Sequence, residues 1–419
     1  MSLPDTEEQL ADMKGVLEVA RQLGATVDLR TMLTHIQQAS RKVMECERAS
    51  VFLYDAKTDE LYSYVATGVE EIRFSARRGI AGAAVQGRQP INVPDAYADD
   101  RFNREVDQQT GFRTRNILSL PLVGLDDAVV GVLQMLNKAR GSFSTWDEQL
   151  AATLAAQAGA AIQRQMLLEQ YAEKQKLERD LDIARRIQQE LLPDASPTLK
   201  GFDIAGWNKP ADQTGGDAFD FMPLDGGRLA ITIADATGHG IGPALVIAEC
   251  RALLRATALS SNDPAEVIVR VNDLLVEDLP ADRFVTCFFG LLDPTEATLR
   301  FSSGGHGPLL LFRAADEQIA ELHATGLPLG IMPDMTCEPA DPIVFRPGDM
   351  MVLVTDGFFE WMGPDGEEQF GVGRIVDLIR RNKTQPAATL IETLYQEVVR
   401  FGAGTAQADD LTAVIIKKT

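Results

Sequence analysis

Short strand candidates separated by tight turns, helical stretches gathered in separate runs, and a charged, glycine-free segment in mid-chain together predict an α+β protein. Hairpin signals with helices set apart from them speak against a parallel, doubly wound sheet. At 419 residues the length suits two or three domains, and a hydrophobic fraction of 45% is ample for packed cores.

Residues 8–47 have helical spacing. Leu17, Ala20 and Leu23 share one stripe and, after a break near Val27-Asp28, Met32, Leu33, Ile36 and Val43 share the next. Strands are predicted at 49–54, 61–65, 117–123 and 129–136, set apart by turns such as Asp55-Ala-Lys-Thr-Asp and Gly124-Leu-Asp-Asp. An Ala- and Leu-rich helix over 145–163 closes this small, helix-flanked sheet.

Residues 165–192 turn charged, with Leu177, Leu181, Ala184, Gln188 and Leu191 spaced four, three, four and three. That is the stagger of a heptad seam along which two chains could pair; the other reading is a solvated spacer helix. Pro193 and Pro197 stop it. Beyond Lys200 the spacing predicts helices at 241–259 and 264–279, strands at 286–292, 298–302, 309–312 and 350–354, helices at 373–381 and 387–401, and a strand at 411–417. The expected domains are 1–164, a helical linker 165–197, and 198–419.

Asp+Glu number 61 against Lys+Arg 40, a formal net charge of -21, which argues against nucleic acid or an anionic membrane as partner. Cys46, Cys250, Cys287 and Cys337 fit no C-x-x-C spacing and are expected to be reduced core thiols. The N-terminal Met1-Ser-Leu-Pro-Asp-Thr-Glu-Glu has no apolar h-region, and no later apolar run approaches the ~20 residues of a membrane helix. A cytoplasmic location is the expectation.

Four runs carry the chemistry: Gly215-Gly216-Asp217, Asp235-Ala-Thr-Gly-His-Gly240, Thr355-Asp356-Gly357 and Asp409-Asp410. Apolar segments that read as strands precede Asp235 and Thr355, so carboxylates delivered from strand ends can converge at one edge of a sheet core. Mg²⁺ and Mn²⁺ take oxygen ligands and keep several waters, so a few Asp with no dedicated His or Cys suits them.

In order and spacing these runs resemble the metal-dependent protein phosphatases of the type 2C superfamily (PPM), and most closely the bacterial class typified by RsbU and SpoIIE. The resemblance runs from about Leu181 to the C-terminus. Ile183–Pro193 resembles the helix that leads into that class's domain. Gly215–Phe221, Asp235–Gly240, Gly304–Pro308, Gly326–Gly330, Thr355–Glu360 and Asp409–Thr412 resemble its motifs.

The resemblance implies an α-β-β-α sandwich with two Mn²⁺ or Mg²⁺ ions at one end. Asp217 and Asp235 would be ligands together with the Ala236 backbone carbonyl, and Asp356 and Asp409 would complete one ion's shell. Asp410, Gly238 and His239 would stand directly behind them, with Asp220 a further candidate. His239 and His306 each have two readings, general acid or hydrogen-bonding anchor of a loop, of which the second is preferred. Water activated by the ions would attack phosphorus without a covalent phosphoenzyme; the absence of a reactive-Cys motif agrees. Departures from the class are Ala218 for an aromatic, Gly307 for an Asn, and Pro243, suited only to a helix's first turn.

Residues from about 15 to 165 resemble GAF domains, in particular the cyclic-nucleotide-binding ones of mammalian phosphodiesterases and cyanobacterial adenylyl cyclases. Asn137-Lys138, Phe143 and Asp147-Glu148 match that subset's signature, joined by Gly79–Gly82, Val93–Tyr97 and Thr110–Leu118. The resemblance implies a closed pocket lined by Ser50, Ile80, Ala81, Asp107, Thr110, Thr114 and Gln134. Lys138 and Asp147 would form a structural ion pair. Asn103, Gln134 and Ala66-Thr67 depart from the pattern, which leaves cAMP against cGMP open.

The reading is a Ser/Thr protein phosphatase governed by a cyclic nucleotide through the helical linker, acting by class resemblance on a phosphorylated STAS-type anti-sigma-factor antagonist, and a homodimer through the GAF domain and linker. Its rivals are an inactive phosphoprotein-binding scaffold and an active phosphatase whose GAF domain only dimerises.

Overall fold

The computed structural model of the chain describes residues 6–25, 28–63, 73–280, 282–338 and 340–419. Two compact units emerge, Met1–Lys176 and Leu177–Thr419. The base-reading segment Ala66-Thr67 lies outside the described residues.

In the first unit α1 (Thr6–Ala25) and α2 (Leu29–Val43) precede β1 (Cys46–Asp55), β2 (Glu60–Tyr62), β3 (Arg73–Ser75), α3 (Gly79–Gly87), β4 (Ile91–Val93), α4 (Arg104–Thr110), β5 (Ile117–Val123), β6 (Val129–Lys138) and α5 (Thr145–Leu191). The expected break near Asp28 has a local cause. Asp28 accepts from the Thr31 backbone N–H at 2.8 Å and so caps α2. The strands form one antiparallel sheet in the order β3-β2-β1-β6-β5-β4. One face, with Leu53, Leu120 and Leu133, is packed with residues of α1, α2 and α5, among them Leu23, Leu33 and Leu154. The other face meets α3 through Ala81, Ala84 and Val132.

The two helices expected at 145–163 and 165–192 are a single 47-residue helix, α5. The shift from Ala and Leu to charged residues near Gln165 changes what the helix faces without interrupting its backbone, and no proline intervenes before Pro193. Gly159 inside it is required by close approach, because a Cβ there would overlap the Val123 carbonyl of β5. Gly159→Ala is therefore expected to destabilise the protein by about 1–3 kcal/mol, since the clash outweighs the gain of up to ~1 kcal/mol in helix propensity. A lower denaturant midpoint checks it.

The second unit contains β7 (Phe202–Lys209), β8 (Asp217–Pro223), β9 (Leu229–Ala236), α6 (Ile241–Ala258), α7 (Pro264–Asp278), β10 (Val285–Asp293), β11 (Thr298–Gly304), β12 (Leu309–Arg313), β13 (Gln318–Leu322), β14 (Ile343–Val344), β15 (Met350–Val354), α8 (Asp356–Phe359), α9 (Gly371–Arg381), α10 (Ala387–Gly402) and β16 (Leu411–Lys418). Two five-stranded antiparallel sheets, β14-β11-β10-β9-β8 and β13-β12-β15-β16-β7, pack face to face. Phe219, Ile233, Phe288, Leu353 and Val414 fill the space between them. Alternate residues of the first sheet, such as Ala218, Ala234 and Phe289, meet α6 and α7, while those of the second, such as Val352 and Ile415, meet α8 to α10. This is the expected α-β-β-α sandwich.

All four cysteines are free and buried, as expected. Burial pushes the Cys46 thiol up to about 11, and hydrogen bonding with Cys250 together with burial pushes Cys287 well above its ordinary value, so neither is a ready nucleophile. No helix among the described residues is long and apolar enough to cross a membrane.

Candidate functional sites

Strand register brings the predicted carboxylates to one end of the sandwich. Asp217 opens β8 opposite Asp235 of β9, which is in turn opposite Thr286 of β10. All three have the parity of Phe219, Ile233 and Phe288 and so face the space between the sheets. From the second sheet, Asp356 follows β15 and Asp409-Asp410 precede β16. The two sheets are tied at this end by Asp217 itself, whose Oδ2 accepts from the hydroxyls of Thr355 at 2.8 Å and Thr412 at 2.6 Å.

The electrostatics are those of uncompensated anions. Burial, then repulsion from Asp235 and Asp410, pushes Asp217 well above the usual carboxylate range. Burial, then Asp356 and Asp409, raises Asp235 to about 7. Burial, then Asp409, raises Asp356 to about 6, and Asp410 is raised chiefly by burial. Among the described residues no three acidic, His or Cys side chains are gathered at ligand distance of one point. The all-oxygen donor set fits hard divalent cations, whose charge would relieve the repulsion among these carboxylates. Gly216 permits the close approach of the two ligand loops, since a Cβ there would come within 2.6 Å of the Ala236 carbonyl oxygen.

Residues around the carboxylates divide in ways the sequence only partly foretold. Asp410 holds the loop next to Asp217, its Oδ1 accepting from Ala211 N at 2.7 Å and its Oδ2 from Gly216 N at 2.5 Å. Gly238 sits in the Asp235 loop with φ +88°, and Pro243 falls in the first turn of α6. His239 is exposed, its Nδ1 2.8 Å from Asp212 Oδ2, which fits a loop anchor. His306 is buried against the Thr286 hydroxyl at 3.2 Å, and burial lowers its pKa to about 4, so the ring is neutral at pH 7.

Asp220 departs from expectation. Three residues after Asp217, it faces the opposite side of β8 and takes Arg255 in a bidentate pair at 2.6 and 3.1 Å. Gln188 also departs from its seam role. Its amide donates to the Gly215 carbonyl at 2.5 Å and accepts from Gly215 N at 3.0 Å, so this position holds the chain's own loop before Asp217. Leu181, Ala184 and Leu191 are half-buried beside it, whereas Leu177, Ile183 and Ile187 are exposed.

In the first unit Ser50 and Gln134 are cross-strand partners on β1 and β6, with Ser119 of β5 completing the row through a 3.1 Å bond from Gln134 Nε2. This row has the parity of Val132 and Leu136, the face that α3 covers with buried Ile80 and Ala81. Asp107, in α4, accepts from Thr114 N and Oγ1, both at 2.7 Å, and from Tyr97 OH at 3.0 Å. Thr110 ends α4. Sequence reasoning missed Tyr97 and Ser119. Asn103 caps α4, accepting from Glu105 N at 3.1 Å. Lys138 and Asp147 form the expected ion pair at 2.8 Å.

The model of the Stage II sporulation protein E (SpoIIE) family matches residues 225–419, and that of the GAF domain matches residues 28–162. The chain is a GAF domain joined to a SpoIIE-type phosphatase domain. Phosphoserine phosphatase RsbU of Bacillus subtilis is 26% identical over 245 residues, 58% of this chain and 72% of RsbU. A probable 3',5'-cyclic phosphodiesterase of Caenorhabditis elegans is 31% identical over 177 residues, 38% of this chain but only 24% of the relative's own length. The solved SiaA PP2C domain of Pseudomonas aeruginosa is 25% identical with a TM-score of 0.53, covering 59% of this chain and 99% of that one. The SpoIIE-type domain thus has relatives along its length, whereas most of the phosphodiesterase lies outside its match.

Proposed function

We propose that the chain is a Mn²⁺- or Mg²⁺-dependent phosphoserine/phosphothreonine protein phosphatase regulated by its GAF domain. The observation that carries this is the delivery of Asp217 and Asp235 from one sheet, and Asp356 and Asp409 from the other, to one end of the sandwich, with Asp217 buried, Asp235 and Asp356 half-buried and Asp409 exposed at its mouth. Asp217, Asp235, the Ala236 carbonyl, Asp356 and Asp409 would hold two ions, which when bound supply a water of lowered pKa and charge to match the phosphoryl oxygens. The Thr355 and Thr412 hydroxyls orient Asp217, and Asp410 fixes the loop at Gly216. Mn²⁺-dependent hydrolysis of p-nitrophenyl phosphate tests the activity; no turnover with either metal overturns it in favour of a phosphoprotein-binding scaffold.

The substrate reading is a phosphorylated STAS-type anti-sigma-factor antagonist in a partner switch, supported by the likeness to RsbU. The protein acts as a homodimer through its GAF domain and linker helix. The end of α5 is the regulatory element, supported by the grip of Gln188 on the loop of Asp217.

The GAF domain binds cAMP or cGMP among Ser50, Ile80, Ala81, Asp107, Thr110, Thr114 and Gln134, a reading supported by the convergence of several of these on one face and by the phosphodiesterase match. Calorimetry should give saturable binding of one of the two nucleotides, weakened about tenfold or more in Thr114→Val, which removes a buried hydroxyl partner. No heat with either leaves a GAF domain that only dimerises.

A further inference from the structure

Asp220 and its arginines have no place in the site just described. The carboxylate is 1% exposed on the face of β8 turned away from the candidate ligands. Its Oδ1 accepts from Phe221 N at 2.8 Å and from Arg255 Nη2 at 3.1 Å, and its Oδ2 accepts from Arg255 Nε at 2.6 Å. Arg251 brings its Nε to 3.0 Å from Oδ2 but off the hydrogen-bonding line, so it contributes charge rather than a bond. Both arginines belong to α6 and stand one turn apart.

The rest of the face that α6 turns to the sheet is apolar, made of Val246, Ile247, Cys250, Leu254 and Ala258. Such a face sets how deeply a helix sits but is tolerant of small slides, whereas a bidentate guanidinium–carboxylate pair is directional. Two cations at i and i+4 on one carboxylate fix both the rotation of α6 and its position along its axis. A buried ion pair contributes little net stability relative to well-packed apolar groups of the same volume, so orientation is its distinctive contribution here.

What α6 orients is the ligand loop. The helix starts at Ile241, directly after Thr237–Gly240, with Ala244 N donating to the Gly240 carbonyl at 3.2 Å. Pro243 in its first turn lies 3.2 Å from where a Gly216 Cβ would be, beside the Ala236 carbonyl oxygen at 2.6 Å. Sliding α6 would therefore move Pro243 against the Gly216 loop and alter the spacing between Ala236 and Asp217.

We propose that Asp220 is a positioning residue of the divalent-cation site: through Arg255 and Arg251 it sets the seat of α6 on the sheet and with it the place of the Ala236 carbonyl among the carboxylates. The inference rests on the reading of that end as a cation site. In the full-length protein, Asp220→Asn should raise the Mn²⁺ dissociation constant measured by calorimetry about tenfold or more, and turnover of p-nitrophenyl phosphate should recover at saturating Mn²⁺. Arg255→Lys, which keeps the charge and loses the fork, should fall between, and it answers the question if Asp220→Asn does not fold. Leu394→Ala, in the opposite helical layer, should lower the melting temperature and leave Mn²⁺ affinity unchanged. Lower melting with wild-type Mn²⁺ affinity in both Asp220→Asn and Arg255→Lys would show a merely structural pair and overturn the proposal. Wild-type protein that binds no Mn²⁺ would overturn the cation-site reading itself.

Discussion

Asp217→Asn and Asp356→Asn, made separately, are each expected to lower Mn²⁺-dependent hydrolysis of p-nitrophenyl phosphate by about a thousandfold or more, some 4 kcal/mol of barrier. Each removes a full negative charge from the proposed ligand set while keeping the side chain's size. The fold should survive Asp217→Asn, because the new amide oxygen could still accept from the Thr355 and Thr412 hydroxyls that reach Asp217 Oδ2. The metal-free melting temperature should hold or rise, since ionising the wild-type Asp217 is penalised by burial and by Asp235 and Asp410, and the amide carries no such penalty. Turnover within a few-fold of wild type in either variant would refute the assignment; lost turnover with a collapsed melting transition would mean that the residue is structural.

The second large effect is on stability against pH. Asp235 is raised to about 7, Asp356 to about 6, and Asp217 well above 3.8. Carboxyl groups whose folded pKa lies above the unfolded value bind more protons in the native state, so stability falls as pH rises through that interval. The window opens near 4, the unfolded value, and closes at about 6 for Asp356 and about 7 for Asp235, above which their penalty is fully present. Metal-free protein should therefore melt higher at pH 5 than at pH 8, by a few kcal/mol in unfolding free energy after allowing for solvent screening. Saturating Mn²⁺ at pH 8 should restore the loss, because a ligand that binds only the native state stabilises it. Carboxylates held low, such as Asp349 beside Arg313, titrate below this window, whereas buried His306, lowered to about 4, acts in the opposite sense between about 4 and 6.5 and offsets part of the change. A melting temperature flat between pH 5 and 8 in chelator would mean that the carboxylates are not repelling one another.

Much of this was legible in the chain. The apolar periods of α6, α7, β15 and β16 gave their limits to within a residue or so, because each buries one side or all of itself. That Asp217, Asp235, Asp356 and Asp409 lie toward one end of the sandwich was readable because each flanks a strand. Edge strand β13 was missed, since Gln318–Leu322 is largely exposed and has no apolar alternation to find. The facing of Asp220 could have been read: residues three apart on a strand point to opposite sides, so it could not share a site with Asp217. The hydroxyls that hold Asp217 could not, because Thr355 and Thr412 lie 138 and 195 residues away from it. Nor could the partner of Gln188, 27 residues on, which turned a seam position into a clasp on Gly215.

β16 is an interior strand, inserted between β15 and β7, and β7 is the strand with which the same domain begins. A nascent polypeptide elongated only through β15 would already carry Asp217 and Asp235, yet would have neither Asp409 nor Asp410 and no Thr412 to brace Asp217. On the proposed reading, the site is complete only once β16 docks and joins the two ends of the domain. Under the proposed function, a half-built chain would be unable to hydrolyse phosphate before its own core is complete.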